Sequence, residues 1–348
     1  MKVGITGYSG AGKTTVFNAL SGRGADKGAF KQKGAMNLGT VKVPDLRVDR
    51  LSGLFKPKKT IYAEVVFADL LAPAPDVSGN SFDADTLGHM RDMDALTHVI
   101  RGFDHPLTGD NARPLDDFRN LEMELELADL SVLEKRIERL NKEGGKSREL
   151  PLLEKLSAHL ESEKPLRTLG LDEAEERSLR GYAFLSLKPL LVVLNLPEDA
   201  EEKFDELNKA VSEAGAGLFI MKGKMEEEIA ELDEEDRKPF LEELGVAEPA
   251  RDRFIRAAYA ALDLVSFFTV GKDEVRSWPI KKGTVAVKAA GTIHTDLERG
   301  FIRAEVTRWE DLLELGSEAN CRTAGKMRLE GKEYLVQDGD VFHVRFNV

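Results

Sequence analysis

Cysteine is almost absent: Cys321 is the single one in 348 residues. That excludes a disulfide framework and a cysteine-based zinc site, and it fits a reducing compartment. Long apolar runs are missing too. The longest, over residues 184–196, is broken by Ser186, Lys188, Pro189 and Asn195. It is too short and too polar to span a bilayer. No leader is expected, because residues 1–6 read directly as structure. Repeats and low-complexity tracts are also missing. Positive charge is in deficit, with a net charge of −12, which argues against a general nucleic-acid binder. These absences point to a cytoplasmic protein with no membrane or DNA partner.

What is present is enough apolar residue, 42%, to build a sizeable core in two or three domains. Residues 2–6 read as a buried strand, followed by a glycine-rich loop and a helix from about Lys13 to Ser21. Residues 61–70 alternate and read as a strand, as do 97–103, 190–196 and 218–221. Helical stretches separate them, so the pattern is βαβ with a mostly parallel sheet. Between residues 116 and 180, apolar residues such as Leu121, Leu125, Val132 and Leu140 recur at helical spacing, with a break at Gly144-Gly145. That reads as a helical hairpin, a short coiled coil, inserted into the α/β domain. From residue 266 short strand-like pieces appear, including 285–288, and imply a small α+β domain. The expected division is 1–115 with 181–265 for the α/β domain, 116–180 for the hairpin and 266–348 for the last domain.

Gly7-Tyr8-Ser9-Gly10-Ala11-Gly12-Lys13-Thr14 matches G-x-x-x-x-G-K-[ST], the loop that cradles nucleotide phosphates. Glycine lets the backbone wrap close to phosphate oxygens. The loop N–H groups turn inward, and the following helix N-terminus adds partial positive charge. Lys13 is expected to reach the β- and γ-phosphates and to act on the transferred group. Thr14 is expected to place its hydroxyl on Mg²⁺, with Thr15 beside it in the nucleotide site. Asp69 closes a later strand and is expected to hold the same Mg²⁺ through water. A GTPase would continue with D-x-x-G. Here the glycine position holds Ala72, followed by Pro73 and Pro75, which have no N–H to donate. The place of a water-orienting glutamine holds Ala74.

Asn195-Leu196-Pro197-Glu198 follows the buried strand at 190–194. A guanine-specific site would read N-K-x-D there, its aspartate accepting two hydrogen bonds from the base. Glu198 is one methylene longer, Leu196 replaces the lysine stem with an apolar platform, and Asn195 can pair with a purine edge. The expected base is therefore adenine, with GTP less favoured. His98 lies within a strand and reads as a core histidine. His105, in the loop that follows, is better placed; it reads either as a surface-loop histidine or as the candidate catalytic histidine.

The chain resembles the YchF, or Obg-like ATPase, family of translation-factor-related P-loop proteins. The residues that carry the likeness are Pro44-Asp45-Leu46-Arg47-Val48-Asp49-Arg50-Leu51, Asn195-Leu196-Pro197-Glu198, Ile229-Ala230-Glu231-Leu232, Ala290-Gly291-Thr292-Ile293-His294-Thr295-Asp296 and Gly300-Phe301-Ile302-Arg303-Ala304. The resemblance covers the whole chain. It implies a Ras-like domain, a coiled-coil insertion, a C-terminal ubiquitin-like TGS domain, a preference for ATP and association with ribosomes. Several positions depart from the family pattern. The family's Asn-Val before Gly-Lys-Ser is Gly10-Ala11, which tells against K⁺ dependence. The switch threonine aligns with Lys33, and the segment after the next strand reads Lys222-Gly223-Lys224. Residues 23–59 carry ten Lys/Arg against three Asp/Glu. This basic stretch surrounds the expected first switch and is expected to contact phosphate, of nucleotide or of ribosomal RNA. The expectation is a Mg²⁺-dependent ATP-binding switch protein with slow hydrolysis. The alternatives are a nucleotide-gated binding module with little turnover, or a GTPase.

Overall fold

The computed structural model describes residues 1–22, 37–70, 82–105, 107–144, 147–200 and 204–347. Lys33 and the run from Ala72 to Pro75 lie outside the described residues, as do residues 23–36 of the basic stretch. The twelve strands among the described residues are β1 Lys2–Thr6, β2 Asn37–Lys42, β3 Lys59–Ile61, β4 Glu64–Asp69, β5 Ala95–Arg101, β6 Leu190–Asn195, β7 Gly217–Met221, β8 Leu264–Thr269, β9 Glu274–Lys281, β10 Phe301–Arg308, β11 Arg328–Glu330 and β12 Asp340–Phe346. They form two six-stranded sheets, and the chain divides into two compact units.

The first unit comprises Met1–Val41 and Val65–Ala257. Its sheet runs β2-β4-β1-β5-β6-β7, and the pairings of β1 with β4 and β5, of β5 with β6, and of β6 with β7 are all parallel. Strands buried on both faces need continuous apolar sequence. Leu190–Asn195 supplies it, with every residue of β6 buried. Helices α1 Lys13–Ser21, α3 Ala84–Arg91, α4 Pro114–Lys142, α5 Leu150–Glu161, α6 Glu173–Leu179, α7 Asp205–Glu213, α8 Gly223–Glu231, α9 Glu234–Glu243 and most of α10 Ala250–Ala261 belong to this unit. The 29-residue α4 begins with Pro114 in its first turn beside Asp116 and Asp117, and ends near Arg139 and Lys142. Each of those placements suits the helix dipole. Its proximal half packs Phe118, Leu121 and Leu125 onto the sheet core. Its distal half packs Leu133 and Leu140 against Leu153, Leu156 and Leu160 of α5. The stripe read from the sequence is therefore used twice, once by the sheet and once by the hairpin.

The second unit comprises Lys42–Glu64 and Ala258–Val348. Its mixed sheet runs β11-β10-β12-β8-β9-β3. Helices α2 Leu46–Phe55, α11 Ala286–Ile293, α12 Thr295–Arg299, α13 Trp309–Leu315 and α14 Glu318–Thr323 pack with it. Two sequence readings change here. The single strand expected at 61–70 is two: β3 pairs with β9 from Lys59↔Glu274 to Ile61↔Arg276, and β4 pairs with β1 in the other sheet. Alternation marks extended backbone but does not say which sheet receives it. The strand expected at 285–288 is the start of α11. Ala286, Ala289 and Ala290, all fully buried, sit at helical rather than alternate spacing. No helix among the described residues is long and apolar enough to cross a membrane.

Candidate functional site

In open parallel sheets, ligands lie beyond the carboxyl ends of the strands where the strand order reverses. Here β1 lies between β4 and β5, and its carboxyl end runs into the loop 7–12. Three glycines of that loop have positive φ: Gly7, against the Val99 backbone, and two that face side chains of the site. Gly10 (φ 73°) and Gly12 (φ 85°) lie in the left-handed region, which costs little only without a Cβ. A Cβ at Gly10 would collide with Nε2 of His105, and one at Gly12 with the Asn195 amide. The loop leads into α1 with no side-chain cap and no acid in the first turn. The orphan N–H groups of that turn are left for an anion.

Lys13 folds back so that its Nζ donates to the carbonyl of Tyr8 at 2.9 Å. Burial lowers its pKa, opposed by the attraction of Asp69. Asp69, the last residue of β4, is 1% exposed, and neither carboxylate oxygen has a hydrogen-bond partner. Burial pushes its pKa up. The Asn37 side chain and the positive charge of Lys13 pull it down. A buried carboxylate with both oxygens idle is costly unless something charged completes it. Thr14 is exposed in the first turn of α1, and Ser9 is exposed in the loop. Among the described residues no three His, Cys, Asp or Glu gather to hold a metal.

Asn195 closes β6 and is 4% exposed. Its Nδ2 donates to the carbonyl of Ala11 at 3.1 Å, and its Oδ1 accepts from the N–H of Gly223 at 3.0 Å. It thus ties the phosphate loop to the start of α8. One N–H and one lone pair of its amide take no part in these two bonds. Leu196, read as a platform, is 2% exposed and belongs to the sheet core. Glu198 is exposed, and its carbonyl accepts from Lys222 Nζ at 2.5 Å. Lys222 and Gly223 are therefore brought to Glu198 and Asn195, a gathering that the sequence registers only as a departure after β7.

His105 lies against the phosphate loop at Gly10. Its Nδ1 accepts from the backbone N–H groups of Leu107 at 3.3 Å and Thr108 at 3.2 Å. A lone pair on Nδ1 places the ring proton on Nε2, the nitrogen that faces Gly10. His98, on β5, is fully buried and lies edge-on to Tyr8, with ring centroids 6.0 Å apart. Tyr8 also packs near Phe82 and donates its hydroxyl to Glu124 of α4 at 3.2 Å. The structure therefore brings Lys13, Asp69, Asn195 and His105 around one loop, and leaves His98 behind it in the core.

This loop, its uncapped helix and the Ras-like parallel sheet around it place the chain among the P-loop nucleoside triphosphatases. The comparisons narrow that class. The chain is 41% identical over 364 residues to the Ribosome-binding ATPase YchF of Bacillus subtilis, covering 100% of both. It is 40% identical over 360 residues to the Haemophilus influenzae protein of the same name, covering 100% of this chain and 99% of the other. A family model described as YchF-GTPase_C, Protein of unknown function (DUF933), matches residues 264–347. The chain belongs to the YchF family. Among solved structures, the Schizosaccharomyces pombe YchF GTPase matches with a TM-score of 0.85 and 30% identity, over 99% of this chain and 97% of the other. A GTP binding protein from Pyrococcus horikoshii OT3 matches with a TM-score of 0.60 and 18% identity over 100% of both chains, a likeness of fold.

Proposed function

We propose that this chain binds ATP with Mg²⁺ at the β1–α1 loop, hydrolyses it, and couples that cycle to the ribosome in the cytoplasm. The observation that carries the reading is Asp69: a buried carboxylate at the end of β4 with no hydrogen-bonded partner by distance and angle, on which the charge of Lys13 acts. A hydrated divalent cation fits that demand, with the Thr14 hydroxyl as its direct ligand and Asp69 acting through water. When bound, the cation would neutralise charge on the β- and γ-phosphates. The backbone of residues 7–15, from Gly7 through Ser9 and Ala11 to Thr15, would line the phosphates. Lys13 would leave the Tyr8 carbonyl and turn its Nζ onto the transferred group. ATP and water would give ADP, inorganic phosphate and a proton. The Nε2–H of His105 would donate to the γ-phosphate or to the attacking water's oxygen, since the proton on that nitrogen excludes a role as base. Gly10 offers no side-chain oxygen to a monovalent cation, so K⁺ has no ligand at that position.

The curated relatives carry the name ATPase, and the Schizosaccharomyces pombe structure carries the name GTPase. Glu198 and Asn195 support adenine here. The C-terminal unit and the basic residues 23–59 are the surfaces proposed to meet ribosomal RNA. Competition binding and single-turnover hydrolysis test the reading together. Wild type is expected to prefer ATP, Glu198→Asp to shift toward GTP, and Lys13→Ala to lose turnover by at least ~100-fold. A wild type that prefers GTP would remove the adenine reading. Turnover that persists without Lys13 would remove the enzyme.

A further inference from the structure

Arg101 is the last residue of β5, and Arg101 and Asn195 are register partners at the ends of β5 and β6. Its guanidinium could have paired with a carboxylate. Instead it donates to three backbone carbonyls of the loop that follows: Phe103 at 3.0 Å, Asp110 at 2.7 Å and Asn111 at 3.1 Å. The carboxylate whose charge it faces is Asp117, in the first turn of α4. Those carbonyls bracket His105. The N–H of His105 donates to the carbonyl of Asp110 at 2.8 Å, and its own carbonyl accepts from Gly109 at 2.8 Å. Asp104 accepts from the N–H of Ala112 at 3.3 Å. The loop is thus closed on itself around the histidine and anchored to the sheet by one side chain.

We infer that Arg101 is a positioning residue: it holds the loop so that His105 keeps its proton on Nε2 and keeps that nitrogen over Gly10. A planar five-donor fork can reach three carbonyls from one anchor, and a lysine ammonium at that site cannot reproduce the geometry. Gly10 completes the arrangement, because any side chain there would occupy the place of the ring. The inference rests on the reading of His105 as the group that faces the γ-phosphate.

Two measurements on the full-length chain test it. In long-range proton–nitrogen spectra of ¹⁵N-histidine protein, assigned with His105→Ala, wild-type His105 is expected as a single Nε2–H tautomer. Arg101→Gln and Arg101→Lys are expected to give it the averaged shifts of a free imidazole, with unchanged melting curves. The same variants are expected to lower kcat for ATP by ~10–100-fold, while Kd for ATP stays within about threefold. Arg101→Gln added to His105→Ala is expected to slow the enzyme no further, because Arg101 acts only through the ring. Retention of the Nε2–H signature in both Arg101 variants overturns the inference, as does an additive double variant. Full turnover in His105→Ala would overturn the proposed role of His105 instead, and the tautomer measurement would still decide what Arg101 does.

Discussion

His98 is held in β5 with no exposure, and neither ring nitrogen is bonded among the described residues. Burial, helped by the positive charge of Lys13, lowers its pKa to about 3. An unfolded histidine takes up its proton near pH ~6.5. Below that value the unfolded chain binds a proton that the folded chain refuses until about pH 3, so stability falls as pH drops through that window. Between pH 7 and pH 5 the loss from this one residue is ~2 kcal/mol. His98→Leu is expected to remove it, so the urea midpoint should fall less between those pH values than in wild type. An equal fall in both proteins would show that another group carries the acid sensitivity. At this scale the sequence was informative where a motif fixed the geometry. Lys13 could be placed because the strand–loop–helix pattern sets its position, and Asp69 because it closes a later strand. Arg101 and the tie made by Asn195 could not. The latter joins residues 184 positions apart, and no local pattern encodes a bond of that reach.

Helix α2, not singled out in the sequence reading, has a local start and a distant destination. Its start is written locally: Asp45 accepts from the N–H of Arg47 at 2.9 Å and caps the helix. The same carboxylate takes the Arg47 guanidinium at 2.9 and 2.8 Å, and Arg47 reaches on to Asp338 at 2.6 Å. The face it buries, Val48 and Leu51, meets Phe268, Val275 and Leu312 of the second sheet's core. Helical spacing announces an apolar face, but any core will accept one. The same limit joined β3 to β4 in the sequence reading. Asp45→Ala removes a cap and leaves Arg47 with one partner fewer, a loss of ~1–2 kcal/mol. Hydrogen exchange is expected to speed up in α2 and in β3 with its partner β9, and to stay unchanged in β5 and β6. Equal acceleration in both sheets would mean that the cap stabilises the chain as a whole rather than this unit.

For the whole molecule, the parallel α/β sheet, the helical hairpin and a separate C-terminal α+β body could all be read from hydrophobic periodicity. That the second body is built from two separate stretches of chain could not. Five of its six strands come from beyond residue 258, and the sixth, β3, is lent by residues 42–64. A chain ending at Ala257 would therefore keep α2 and β3 without the sheet they complete, and would expose Val48 and Leu51. Such a truncation is expected to self-associate on size exclusion. The same truncation with residues 42–64 replaced by a short Gly/Ser linker is expected to be monomeric and to bind ATP. If the simple truncation is already monomeric, with residues 46–55 protected from exchange, the second unit does not depend on its distant strands.

The loan of β3 also sets a delay during synthesis. The chain leaves the ribosome N-terminus first, and Lys59 must wait for Glu274, 215 residues later, before its ladder can form. At typical rates of translation that is roughly 10–40 s. Through that interval α2 and β3 have no sheet to join while the first unit is being completed, a nascent chain with one strand unpaired.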